Sequence, residues 1–194
     1  MAANISQAGS VADGGVKQIT PAENRKYRAA FAIVMMSMAM PFLTLLNVRY
    51  ILAGGYVSPE ANQVIGLIAA LLMIISAGTI GSAVKAYKQG NAAKVQRNIF
   101  WTFGLGLVSF VLIGFQMVNH SVDIVTHYGE TFVTTLGAVD VYVLIGLIVL
   151  LALRSRVIRL WGAADHSWGM QSNAMFWRFV VVVWLVMYVQ LYLL

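Results

Sequence analysis

No charged residue follows Arg178, and the stretch from Asn173 to Leu194 is apolar almost throughout. As a helix it would be about 33 Å long, close to the roughly 30 Å hydrocarbon core of a bilayer. Phe176 and Trp177 stand near its start, and Tyr188 and Tyr192 near its finish. Aromatic residues at both ends are the pattern of a helix anchored at two membrane interfaces. The run Val180–Val183 would favour a strand in water. In lipid a lone strand leaves its backbone groups unpaired, so a helix is expected.

Four more apolar segments precede it. The five run about 30–53, 63–84, 99–118, 131–153 and 174–194, each about 20 residues long. The chain is 60% hydrophobic and 10% charged, and a soluble domain of this length has no use for so much apolar surface. The predicted fold class is therefore all-α, a polytopic membrane protein with five transmembrane helices. Residues 1–29 are expected to be a flexible cytoplasmic tail. Met1–Thr20 is polar and rich in Gly, Ala and Ser, with no apolar core of a signal peptide. Pro21 suits the first turn of a short interfacial helix.

The net charge of +6 would suit nucleic acid, but its placement has another explanation. Lys17, Arg25, Lys26 and Arg28 precede the first span; Lys85, Lys88, Lys94 and Arg97 separate the second and third; Arg154, Arg156 and Arg159 follow the fourth, and Arg178 opens the fifth. The alternate connections, 54–62 and 119–130, hold no Lys or Arg. This is a positive-inside pattern. It predicts a cytoplasmic N-terminal end, a C-terminal end on the outer face, and no nucleic-acid partner. Arg49, inside the first span near its outer end, is the exception.

The sequence contains no Cys, so disulfides and thiolate sites are excluded. No phosphate loop, Ser–His–Asp set or His-Glu-x-x-His motif is present. No pair of histidines lies within the spans to ligate haem, and His166 sits with Trp161 and Trp168 in an interfacial setting. His120, Asp123 and His127 would share a face if their loop were helical, which admits an outer metal site. A solvated polar lip accounts for the same residues with fewer requirements. Asp140 lies deep in the fourth span, where an ionisable group needs a partner. Arg49 is the other charge inside a span, so an Arg49–Asp140 ion pair, direct or through water, is expected. A proton relay through Asp140 is the sharper alternative. Gln116, Asn119, Gln190, Ser37, Thr44 and Asn47 are expected to bond between helices. The small residues Ser76–Ala83 mark close helix packing, and Pro41 predicts a kink in the first helix.

The last helix, with Trp177, Phe179, Val180, Val182, Val183, Trp184, Leu185 and Tyr188 in order, resembles the last helix of subunit III of haem-copper oxidases (cytochrome c and quinol oxidases). Tyr128-Gly129, Phe132, Gly137, Val143, Gly146 and Leu147 are similar to that family's preceding helix. Gln116 followed by Asn119-His120 resembles its Gln-x-x-Glu-Tyr, and Met36-Ser37 with Phe42 its Ser-plus-acid helix. The likeness covers roughly residues 30–194 and suits the short five-helix bacterial form. The departures concern polar positions. Met38 stands at the family's buried carboxylate and Asn119 at its Glu. Val139, Asp140 and Tyr142 stand at His, Gly and His, and Arg178 and Val181 at His and Asp.

The resemblance implies a bundle with a V-shaped, lipid-filled cleft in a bacterial inner membrane. It implies a non-catalytic accessory subunit that stabilises catalytic subunit I, which holds the haems and copper. The complex would reduce oxygen with electrons from cytochrome c or a quinol, coupled to proton pumping. This chain would hold bound phospholipid and neither haem nor metal. A subunit III-like partner of nitric oxide reductase is the alternative, since lost carboxylates suit a non-pumping complex. A structural or assembly subunit of another membrane enzyme and an independent transporter are the further readings.

Overall fold

The computed structural model describes residues 21–119, 122–159 and 167–194. Those residues form helices: α1 (Pro21–Ala53), α2 (Gln63–Lys88), α3 (Ala92–Val118), α4 (His127–Arg159) and α5 (Ser167–Tyr192). All five are long and apolar enough to cross a membrane. The all-α, five-span architecture read from the sequence is the architecture found. Most of the tail, residues 1–20, lies outside the described residues.

Helices α1 and α4 are longer than their apolar segments. Each has 33 residues and extends about 50 Å, well beyond a hydrocarbon core of about 30 Å. The polar first turns of α1 and both polar ends of α4 continue helically past the apolar region, because a helix satisfies its own backbone in either medium. Thus the short helix expected to start at Pro21 and the first span are one helix, α1, which remains helical through Pro41.

Local chemistry sets the helix ends. Asn62 caps α2 by accepting from the Ile65 N–H at 3.2 Å, and Asn91 caps α3 through the Lys94 N–H at 3.0 Å. Gly90, at φ +70°, ends α2 in the left-handed conformation, and the Asn91 N–H returns to the Ala86 carbonyl at 3.1 Å. So tight a turn makes α2 and α3 antiparallel neighbours.

Helices α2, α3, α4 and α5 form a ring in which each touches the next, and α1 leans on α4 and α5 from outside. The burial follows: 56% of the apolar window of α5 is covered, against 11% of that of α1. Close packing inside the ring uses small residues. Ala69, Ala70, Ala83 and Ala86 of α2 are buried, and the Ser109 hydroxyl of α3 reaches the Ala69 carbonyl at 3.4 Å. Apolar grooves lie between α1 and its neighbours, lined by Leu45, Val48 and Val133 toward one end and by Phe31, Met35 and Phe176 toward the other.

Candidate functional site

Trp177 of α5 fills the middle of the ring. It is 1% exposed, and its indole N–H donates to the Ser76 hydroxyl of α2 at 2.9 Å. The ring lies against Gly106 of α3 and Gly146 of α4. A Cβ on Gly106 would stand 2.7 Å from Cζ2, and one on Gly146 2.8 Å from Cζ3. One indole thus touches three other helices, and glycine makes the space for it. Ser76 passes its own proton to the Met73 carbonyl at 2.7 Å. One turn on, Thr79 and Thr102 share a hydrogen bond of 2.7 Å between α2 and α3. The small-residue run Ser76–Ala83 therefore joins α2 to α3 and α5, while Gly78 and Ser82 within it are exposed.

A second polar cluster closes the end of the bundle that carries the 54–62 loop. Gln116 of α3, 4% exposed, donates to the Asn62 carbonyl at 3.4 Å and accepts the hydroxyl of Tyr192. Gln63 donates to the Tyr192 carbonyl at 3.2 Å, and the Tyr128 hydroxyl to the Leu191 carbonyl at 2.7 Å. Tyr188 and Tyr192 pack their rings over Gly66. Four helix ends are tied together by these side chains, which give the C-terminal carbonyls of Leu191 and Tyr192 donors that no further helical N–H supplies.

Arg49 belongs to this end. It is fully buried and donates to the carbonyls of Gly54 at 3.4 Å and Tyr56 at 3.3 Å, bracing the turn after α1. Its guanidinium lies 5.6 Å from the ring centre of Tyr128 and 5.8 Å from that of Tyr50. The expected ion pair with Asp140 is not formed. Arg49 packs at Tyr128, and Asp140 lies about 18 Å further along α4 at 1.5 Å per residue. Carbonyl dipoles and aromatic faces take the place of a carboxylate. Asp140 instead faces α3: a Cβ on Gly114 would stand 3.3 Å from its Oδ2, and its buried Oδ1 has no hydrogen-bond partner.

The other candidates divide. Gln190 links α5 to the Leu46 carbonyl of α1 at 3.1 Å, an interhelical bond of the kind expected. Thr44 and Asn47 bond within α1, to Met40 and Leu43, and Ser37 is exposed. Short polar side chains reach the carbonyl one turn back more readily than a neighbouring helix. Asn119 is the exposed C-cap of α3. Trp184 is buried with its indole N–H unpartnered, and Tyr188 packs beside it at 6.4 Å. Two positions of the altered polar signature meet: the Tyr142 hydroxyl donates to the Met38 carbonyl at 3.2 Å. Val139 and Val181 are core residues, and Arg178 lies beside Gly81.

Of the metal candidates, His120 lies outside the described residues, as do Trp161 and His166. Asp123 accepts from the Val125 N–H at 3.1 Å, and exposed His127 lies 3.9 Å from Glu130. No group of three metal-ligating side chains occurs among the described residues. Trp168 packs on Tyr27 and Phe31 of α1.

The contacts of Ser76, Thr102, Gly106 and Tyr192 were not read from the sequence. Glycines within apolar spans were the available signal, because glycine there commonly marks a close approach.

The profile of the family "Cytochrome c oxidase subunit III" matches residues 57–194. Cytochrome c oxidase subunit 3 of Anopheles gambiae is 30% identical over 129 residues, covering 66% of this chain and 49% of that protein. The Drosophila melanogaster protein of the same name is 28% identical over the same coverage. That of Hippopotamus amphibius is 30% identical over 122 residues, 62% of this chain and 47% of the relative. The chain spans about half the length of these curated relatives. With the family profile covering most of its residues, this multi-pass membrane chain belongs to the cytochrome c oxidase subunit III family.

Proposed function

We propose that the chain is the non-catalytic subunit III of a respiratory haem-copper oxidase in a bacterial inner membrane. It packs against catalytic subunit I and keeps that subunit intact while oxygen is reduced and protons are pumped. The observation that carries this reading is the family match over residues 57–194, joined to an interior given over to tying helices together. The Trp177–Ser76 and Tyr192–Gln116 contacts hold α2, α3 and α5. The three histidines His120, His127 and His166 lie at or beyond the ends of the apolar segments, so haem and copper are assigned to the partner.

The basic residues support an orientation with the N-terminal end and the α2–α3 turn in the cytoplasm, and the 54–62 loop outside. Phospholipid chains would occupy the apolar grooves beside α1, about 460 Å³ next to Leu45, Val48 and Thr134 and about 250 Å³ next to Phe31, Met38 and Phe176. One observation favours a second reading, a subunit III-like partner of nitric oxide reductase. Met38, Asn119, Val139 and Val181 stand where the family carries polar groups, and a complex that does not pump has less need of them.

Removing the chain from its host and restoring it tests the stabilising role. Membranes lacking it should lose oxidase activity progressively during turnover, together with haem bound to the catalytic subunit, and the restored chain should prevent the loss. An oxidase equally durable without the chain would contradict the reading.

A further inference from the structure

Asp140 presents an unsolved problem within this chain. It is 9% exposed and lies near the middle of the apolar part of α4. A carboxyl group in hydrocarbon needs a donor, and an isolated one is costly. Yet Oδ1 has no hydrogen-bond partner, and no ion pair is found for Asp140 among the described residues. Arg49, the other charge within a span, is committed to the α1–α2 turn. The wall facing Asp140 is the α3 backbone at Gly114, whose N–H groups serve the helix itself.

The surface above this seam is apolar and uncovered. Val111 and Phe115 of α3 and Val141, Leu144 and Ile148 of α4 form a row that is 43–58% exposed. Among the described residues no helix lies over it: α2 takes the other flank of α3, and α1 packs on α4 and α5. Lipid alone would suit the apolar row. It offers nothing to the carboxyl group at mid-membrane depth.

We infer that the α3–α4 face is where a membrane helix of the partner subunit docks, bringing a basic side chain to Asp140. This rests on the accessory-subunit reading and adds to it the face and the chemistry of contact. Charge complementarity selects the occupant, because a buried carboxylate is stabilised by an N–H donor that is itself cationic. Gly114 keeps the α3 side free of any side chain that would screen the carboxyl group.

The test uses the full chain in its native membrane. A photo-reactive residue replaces Phe115 or Leu144, with Ile33 of α1 and Ile74 of α2 as comparison positions, and cross-linked peptides are identified by mass. The expected result is a cross-link from 115 and 144 to one membrane helix of the co-purified subunit, with a Lys, Arg or His within one turn of the joined residue. Asp140→Leu should reduce recovery of the complex about tenfold or more, and Asp140→Glu should largely preserve it. Should Asp140→Leu fail to fold, the cross-links made with Asp140 intact decide alone. Partner cross-links from 33 or 74 with only lipid or a second copy at 115 and 144 would overturn the docking face and leave the subunit reading standing. A trapped helix without a basic residue would overturn it as well. Recovery of no partner from any position would overturn both.

Discussion

Trp177 shows how one side chain can set the spacing of a helix ring. Its indole occupies the volume that side chains at 106 and 146 would need, and its N–H is met by Ser76. Gly106→Ala should therefore destabilise the fold by about 1–3 kcal/mol, the usual range for overpacking a core. Gly104→Ala meets nothing within 4 Å and should be neutral or stabilising, by up to about 1 kcal/mol from helix propensity. Thermal midpoints of the two variants in detergent separate them. Equal shifts would mean that Trp177 does not limit the approach. At this scale the sequence was partly legible. The family likeness pointed to Gln116, Trp177, Trp184 and Tyr188 without saying what each touches. The Arg49–Asp140 pairing failed because the two charges lie at different depths: Arg49 packs at Tyr128, about 18 Å along α4 from Asp140. Arg49 looks toward Tyr128 and Asp140 toward Gly114.

Among the elements, α1 is joined to the rest most sparingly. Its links include Gln190 to the Leu46 carbonyl, Tyr142 to the Met38 carbonyl, and Arg49 bracing the turn into the 54–62 loop. Arg49→Met would keep the apolar stem and remove the donors for Gly54 and Tyr56. Hydrogen exchange at residues 54–61 should then quicken several-fold, with α3 and α5 unchanged; unaltered exchange would show that the loop holds itself. Arg49→Lys should recover little, because one ammonium cannot span two carbonyls as a planar fork does. The spans themselves were legible from hydropathy, since about 20 apolar residues have few other uses. The helix faces were not. In water an apolar stripe marks the buried side, whereas here Val182 and Val186 are exposed and Val180 and Val183 are buried on the same helix. Both environments are apolar, so the periodicity that reports azimuth is muted. That the helix start at Pro21 runs unbroken into the first span escaped for a related reason: hydropathy sees the part of a helix inside lipid and misses its polar extension.

For the whole molecule, the charge distribution makes an orientation claim that the absence of cysteine renders easy to examine. Single cysteines in place of Glu60 and Gln89, both exposed, sit at opposite ends of α2. A membrane-impermeant maleimide should label position 60 in intact cells and position 89 only after permeabilisation. The reverse order would invert the topology and move the buried Arg49 cluster to the cytoplasmic side.

The family assignment rests on the match over residues 57–194; membership of a working oxidase is the step beyond it. The measurement that addresses it most directly is a reduced-minus-oxidised optical spectrum of the tagged chain purified in mild detergent, with the masses of co-purifying polypeptides. A haem a or haem o signal, together with a large copper-binding subunit, is the expected result. Haem b and c with non-haem iron would instead identify a nitric oxide reductase complex. A colourless, homogeneous preparation of this chain alone would contradict the account.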